Sequence, residues 1–279
     1  MLPVASAAPG APARLLGRVR TPSAVASVAF ALVVWVVLLG PLVALAVHSS
    51  PSAVLAALRA PGALSPLVVS LEASGLALGV LVVLGTPAGF LLARGRLPAP
   101  RLWEGALVAA LLLPPLVVGL LLVFLVGPLT PIGGALGRLH VSATNTFFAL
   151  VVAEVYEAAP YYLLGAAAAF AAVDPELEAQ AQLLGDRPAR AFRKVSLPLA
   201  APGLATALSV AWARAMGAFG AVVIVAYHPF GVPMQIWTTL QSDGLSAALP
   251  YALVLLVVAL PLPLAAFGWS ARARRRAQR

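Results

Sequence analysis

The chain has 279 residues, of which 62% are apolar and only 10% charged, with a mean hydropathy of +1.00. A water-soluble domain of this size cannot hide that much apolar surface, so lipid is the expected solvent. The absence of cysteine excludes a disulfide framework and a thiolate metal site, and the net charge of +9 has to be judged by where it falls.

Residues 1–22 are rich in Ala and Pro, carry Arg14, Arg18 and Arg20, and read as a disordered basic tail. The apolar run that follows is longer than the h-region of a signal peptide, despite the cleavage-like "ALA" at 44–46, and reads as an uncleaved first span. Six segments are long and apolar enough to cross a bilayer: 24–47, 66–93, 103–126, 145–172, 200–226 and 247–269. The expected architecture is therefore an all-α integral membrane bundle of six spans over 23–270, with a second basic tail at 271–279. The connections at 48–65, 94–102, 127–144, 173–199 and 227–246 read as loops.

The basic residues set the expected orientation. With the N-terminus inside, the inner segments hold Arg14, Arg18, Arg20, Arg94, Arg96, Arg101, Arg187, Arg190, Arg193, Lys194, Arg272, Arg274, Arg275, Arg276 and Arg279. The outer loops hold only Arg59 and Arg138. Lys and Arg gather on the cytoplasmic side of membrane proteins, so both termini and the 173–199 loop are expected in the cytoplasm. The positive charge is then a matter of topology, and no nucleic-acid partner is called for.

The third span contains Pro114-Pro115 and the fourth contains Pro160, each of which removes a helical hydrogen bond. Glu154 and Glu157 lie three residues apart in the fourth span, on one face. Arg214 falls near the middle of the fifth. A charge at that depth costs roughly 2.5–3.5 kcal/mol, so it needs a partner or a water-filled path. Two readings stay open: an Arg214 pair with Glu154 or Glu157 that holds the bundle together, and an Arg214 that attracts an anion along a translocation path with Gly217 and Gly220. Ala213, Gly217 and Ala221 repeat every four residues, as small residues do where helices pack closely. In the last outer loop, Tyr227, Phe230 and Trp237 read either as interface anchors or as a surface for an outside partner.

The fourth loop differs from its surroundings. "DPELEAQAQLLGDRPARAFRKVSLP" (174–198) is charged and punctuated for helices. Asp174 is an N-cap, Pro175 suits the first turn, and Glu176 and Glu178 sit at the positive end of the helix dipole. Gly185 ends that helix in a left-handed conformation, and Asp186 with Pro188 starts a second, which Pro198 stops. Leu177, Ala181 and Leu184 form a small apolar face. The pattern fits a hairpin on the lipid surface and a docking element for a cytoplasmic partner equally well.

This segment resembles the coupling loop, the EAA loop, of permease subunits of ABC-type importers. Gly185, Phe192 and Leu197-Pro198 stand at the family spacing. Ala179, Gln180 and Ala181 stand where Glu-Ala-Ala is usual, and the acidic residue, Glu178, comes one place early. "LGTPAGFLLARGRLP" (84–98) and "LLLPPLVVGLLL" (111–122) also resemble that family. "ARAMGAFGAVVIVAYHP" (213–229) is similar to the molybdate, tungstate and sulfate permeases, with Ala218 where Glu is common. The resemblance implies a type I importer permease moving an oxyanion, molybdate or tungstate before sulfate. It implies three partners: an ATP-binding subunit that carries ATP and Mg, a second permease subunit, identical to this one, and an extracytoplasmic substrate-binding protein. It makes Asp174, Glu178, Ala181, Leu184, Gly185, Phe192, Leu197 and Pro198 the coupling loop. The competing readings are a permease for another solute, such as thiamine, phosphate or ferric iron, and a six-span secondary transporter using Glu154, Glu157 and Arg214 as an ion relay. The sequence lacks a Walker A motif, and His48, His140 and His228 are isolated, so neither ATP hydrolysis nor other enzymatic chemistry is expected of this chain.

Overall fold

The computed structural model describes residues 22–277, and side chains over 26–272. The basic tail placed at 1–22 lies outside that range except for Pro22, as do the last two residues of the tail placed at 271–279.

The described residues up to His48 form one unit. Its helix α1 (Pro22–His48) is apolar along its length, and an 18-residue stretch within Ala26–His48 has a mean hydropathy of 2.8. His48 closes it by a bond from its ring to the Ala44 carbonyl (2.8 Å).

In the second unit, from Ser49 onward, every regular element among the described residues is a helix. It opens with a short helix, α2 (Pro51–Arg59), capped by the Ser50 hydroxyl. The second span is α3 (Ser65–Val80), a π turn at Leu81–Gly85 and α4 (Thr86–Ala93), continuous over 29 residues. The π turn comes directly before Thr86-Pro87. A wider turn takes up the hydrogen-bond mismatch that a proline without N–H creates.

The third span is not straight. Helix α5 (Pro100–Leu112) and helix α6 (Pro115–Val126) meet at Pro114-Pro115 with a bend of 117°. Leu113 and Pro114 are both extended, since proline bars its predecessor from the helical region. The single span expected over 103–126 is thus two half-length helices. The next connection holds α7 (Pro131–Arg138), capped by Thr130.

Helix α8 (Phe147–Ala171), capped by Thr146, is the central element, with eleven buried side chains along 25 residues, and it runs through Pro160 unbroken. The charged segment follows as α9 (Pro175–Leu183) and α10 (Pro188–Ala191). Pro198 does not stop the second helix. A π turn at Phe192–Ser196 carries α10 into α11 (Leu197–Met216), closed by the Leu197 N–H bonding back to the Phe192 carbonyl. The same device as at Pro87 absorbs the proline, and Pro188–Met216 is one 29-residue helix.

The fifth span, expected over 200–226, ends at Met216. Residues 217–221 are not helical, and a single turn, α12 (Val222–Val225), follows. Where a loop was expected at 227–246 there is α13 (Val232–Ser242). The last span is α14 (Leu245–Ala259) with α15 (Pro261–Ala277), which stays helical into the segment set aside as a tail.

The core is made by α8 against α11, with α3 and α4 on the flank. Small residues let α8 and α11 approach. A Cβ on Gly165 would stand 2.6 Å from the Ala207 Cβ, and one on Gly203 would stand 2.6 Å from the Ala169 Cβ. These pairs do the close packing expected of Ala213, Gly217 and Ala221. That stripe never forms, because the helix carrying it ends between its first and second members: Ala213 and Gly217 are exposed and Ala221 is buried beyond the break.

Candidate functional site

Two groups of the singled-out residues come together, one at the end of the bundle and one within it. At the end, the Asp174 carboxylate caps α9 by accepting the Glu176 N–H (2.9 Å). Gly185 adopts φ +97°, and the N–H groups of Gly185 and Asp186 return to the carbonyls of Gln182 (3.0 Å) and Ala181 (3.0 Å). That is the left-handed helix end the glycine implied. Asp186 then receives Lys194 (3.1 Å) and Arg190 (3.6 Å), which fastens α10 to the turn.

The apolar face differs from the one spacing gave. Leu184 is 90% exposed and Leu177 partly so, while Ala181 is half-buried. Leu183, outside the i, i+4, i+7 pattern, is 87% exposed. The exposed surface is therefore the Leu183–Leu184 corner where α9 turns. Phe192 points the other way, into a trio with Phe90 (4.8 Å between centroids) and Phe170 (5.7 Å). Leu197 packs into the core cluster beneath, and Pro198 is exposed.

Glu178 is buried, although α9 is otherwise a surface helix. Its Oε1 accepts from Arg94 Nε (3.0 Å) and from Nη2. Arg94 Nη1 donates in addition to the carbonyls of Phe170 (3.2 Å) and Val173 (3.1 Å), at the C-terminus of α8. Sequence reasoning used Arg94 only as a topological charge. Its partner is 84 residues away in the chain, and no local pattern announces it.

Within the bundle, Arg214 lies in the last turn of α11, at the break, rather than in the middle of a span. Its Nη2 stands 3.0 Å from Glu157 Oε2, and its guanidinium lies 5.7 Å from the centre of the Tyr161 ring. Glu157 is ten residues into α8, about 15 Å along its axis, so the pair sits near half depth. The Glu157 side chain is 2% exposed and that of Arg214 33%. Glu157 Oε1 also accepts the Ala221 N–H (3.3 Å), so one carboxylate holds both sides of the break. Glu154 does not pair with Arg214. It is buried one turn away beside Ser74, and its Oε2 and the Arg214 Nε have no hydrogen-bond partner among the described residues.

The glycines of the break are used differently. Gly217 is exposed and borders a hollow of about 230 Å³ lined by Phe219, Ile236, Trp237 and Leu255. Gly220 is buried against the α5–α6 elbow: a Cβ there would stand 2.5 Å from that of Pro115. Trp237 lies tilted against Phe219, and Phe230 stacks on His228 and meets Tyr227 edge-on, so these aromatics knit the far end together. No group of three or more His, Cys, Asp or Glu is placed to hold a metal among the described residues.

Among the described residues, five helices and one bent pair are long and apolar enough to cross a bilayer, and the second unit holds a buried ion pair and a charged helical hairpin; together they make a multi-pass membrane protein. Residues 85–279 match the binding-protein-dependent transport system inner membrane component, and the chain belongs to that family. It is 40% identical over 63% of its length to a probable molybdenum ABC transporter permease protein of Haloferax volcanii, covering 64% of that relative. It is 32% identical over 63% to the molybdate/tungstate transport system permease protein WtpB of Thermococcus kodakarensis, covering 66% of it. The chain thus spans slightly less than two thirds of the length of these two relatives. To the molybdenum transport system permease protein ModB of Mycobacterium tuberculosis it is 33% identical over 63%, covering 68%. A subunit of the bacterial alginate ABC transporter, solved with a pentasaccharide-bound periplasmic protein, superposes with a TM-score of 0.62 at 16% identity, over 90% of this chain and 95% of that one. A chain of the MetNI methionine ABC transporter gives 0.57 at 18% identity, over 77% and 96%. At these identities the superpositions establish the fold, that of type I importer permeases.

Proposed function

We propose that this chain is the membrane-spanning subunit of an ATP-driven importer, moving an oxyanion inward by alternating access, molybdate or tungstate in preference to sulfate. The observation that carries this reading is Arg214. It is a cation at half depth, one third exposed, beside a helix break, and paired on one side only. Such a charge is costly unless it serves a path, and a planar guanidinium suits a tetrahedral oxyanion. The printed substrates of the relatives support the choice of anion.

The chain works beside a second, identical permease subunit, and the break at Gly217–Ala221 faces the path between them. The 174–198 hairpin faces the cytoplasm with both termini, as the bias of basic residues favours. Its exposed Leu183–Leu184 corner docks on a separate ATP-binding subunit, which carries ATP and Mg. An extracytoplasmic binding protein delivers the anion to the opposite end, where α13 and its aromatics lie.

Affinity purification of the tagged chain from its native membrane tests the assembly, and molybdate-stimulated ATPase with the binding protein tests the substrate. An ATP-binding subunit in equal amount is expected. Arg214→Gln should keep that partner and lower anion-stimulated turnover by at least about tenfold. A chain recovered alone overturns the importer reading, and unaltered uptake by Arg214→Gln removes the anion role.

A further inference from the structure

We infer that Arg94 is the positioning residue that makes α9 move as one body with the second and fourth spans. This rests on the reading of 174–198 as the coupling segment. The end of the second span places Arg94 beneath the turn between α8 and α9. There its guanidinium uses Nε and Nη2 on Glu178 and Nη1 on two carbonyls at the α8 C-terminus. Both side chains are 7% exposed. The negative end of the α8 dipole and the Glu178 carboxylate therefore share one cation, and a single guanidinium ties three helices.

Nothing else fixes α9 so firmly. Its other acidic residues, Asp174 and Glu176, are exposed, and its remaining side chains are exposed or, for Ala181, half-buried. Phe90 lies under the guanidinium at 5.5 Å and packs edge-on against Phe170 at 5.3 Å, so an aromatic layer backs the ionic one. Lysine could not reproduce this arrangement, since it has one nitrogen where three are used. The early position of Glu178, the feature that departs from the family pattern, is thereby explained. On a helix a one-residue shift turns a side chain by about 100°, and here Glu178 faces inward to Arg94 rather than outward.

The joint also defines where a pull on α9 arrives. It enters α8 at Phe170–Val173, and α8 carries Glu157, the partner of Arg214. A displaced α9 moves the helix that holds the ion pair. If Arg94 lets go, α9 stays helical and keeps its exposed corner, but its motion no longer reaches α8.

The test uses the complete transporter, with basal and binding-protein-stimulated ATPase and anion uptake measured in parallel. Arg94→Gln should retain the ATP-binding partner and basal hydrolysis, while stimulation and uptake per ATP fall by about tenfold, and Glu178→Gln should lose stimulation to a similar extent. Arg94→Lys should recover only part. The double variant Arg94→Gln/Glu178→Gln should be no worse than Arg94→Gln alone, because both act through one contact. Full stimulation in Arg94→Gln, or additive losses in the double variant, overturns the inference and leaves the importer reading standing. A parent chain with no ATP-hydrolysing partner overturns both.

Discussion

Gly185 gives a sharp test of how the hairpin is held. A Cβ added there meets nothing within 4 Å, so substitution carries no packing penalty. The whole cost lies in φ +97°, a conformation L-residues resist. Alanine should cost about 1–2 kcal/mol, and the β-branched valine up to about 3 kcal/mol. The turn depends on that conformation through two bonds, Gly185 N–H to Gln182 and Asp186 N–H to Ala181. A loss of 1–2 kcal/mol raises their open population about 5- to 30-fold. Hydrogen exchange of the full chain should show the amides of 185 and 186 accelerated by that factor in Gly185→Ala. The acceleration should be greater in Gly185→Val and slight in Gly185→Asn, since asparagine tolerates the left-handed region. Amides of α8 and α11 should not change. Recovery of the ATP-binding partner should fall in the same order. Unchanged exchange and recovery in Gly185→Val would refute the reasoning, and so would global destabilisation by Gly185→Ala, which would mean a packing contact at an open site.

Within the bundle, Gly165→Ala drives a Cβ to 2.6 Å from that of Ala207 and should lower stability by about 1–3 kcal/mol. The pair Gly165→Ala/Ala207→Gly should restore most of the thermal stability measured in detergent, and no recovery would place the clash elsewhere. Glu157→Gln keeps an acceptor for the Ala221 N–H but frees Arg214. The pair it removes is one third exposed on the arginine side, so its worth is about 1 kcal/mol. Molybdate should therefore bind the purified transporter about fivefold more tightly, and weaker binding by titration calorimetry would show that Glu157 does not compete with the anion.

What the sequence made legible is local. Asp174 and the Gly185–Asp186 turn act through bonds to residues two to five places away, Pro175 fits the first helical turn, and the hairpin they predict is present. Apolar length set the spans well where proline did not intervene. The errors fall at prolines and glycines in apolar runs, where hydropathy is blind to direction. Pro114-Pro115 bends a span by 117°, whereas Pro198 bends nothing, because a π turn precedes it. The same ambiguity let the fifth span run past Met216, which moved Arg214 from a helix end to a helix centre. Glu157 rather than Glu154 as the partner of Arg214, and Arg94 as the partner of Glu178, depend on contacts across 57 and 84 residues. Those separations leave no periodic trace.

The elbow at Pro114-Pro115 also bears on how the chain is made. Helices α5 and α6 have 13 and 12 residues, about 20 and 18 Å, and neither crosses a hydrocarbon core of roughly 30 Å. The extended backbone between them exposes polar groups that lipid cannot satisfy. What covers it is the other discontinuity, since Gly220 lies on Pro115 and Gly119 on Ala221 and Ile224. Residues 219–224 leave the ribosome about a hundred residues after the elbow. The nascent third span must wait in a protected, hydrated place through the synthesis of the fourth and most of the fifth. The insertion machinery, rather than the bilayer, is then the first environment in which this half of the bundle is stable.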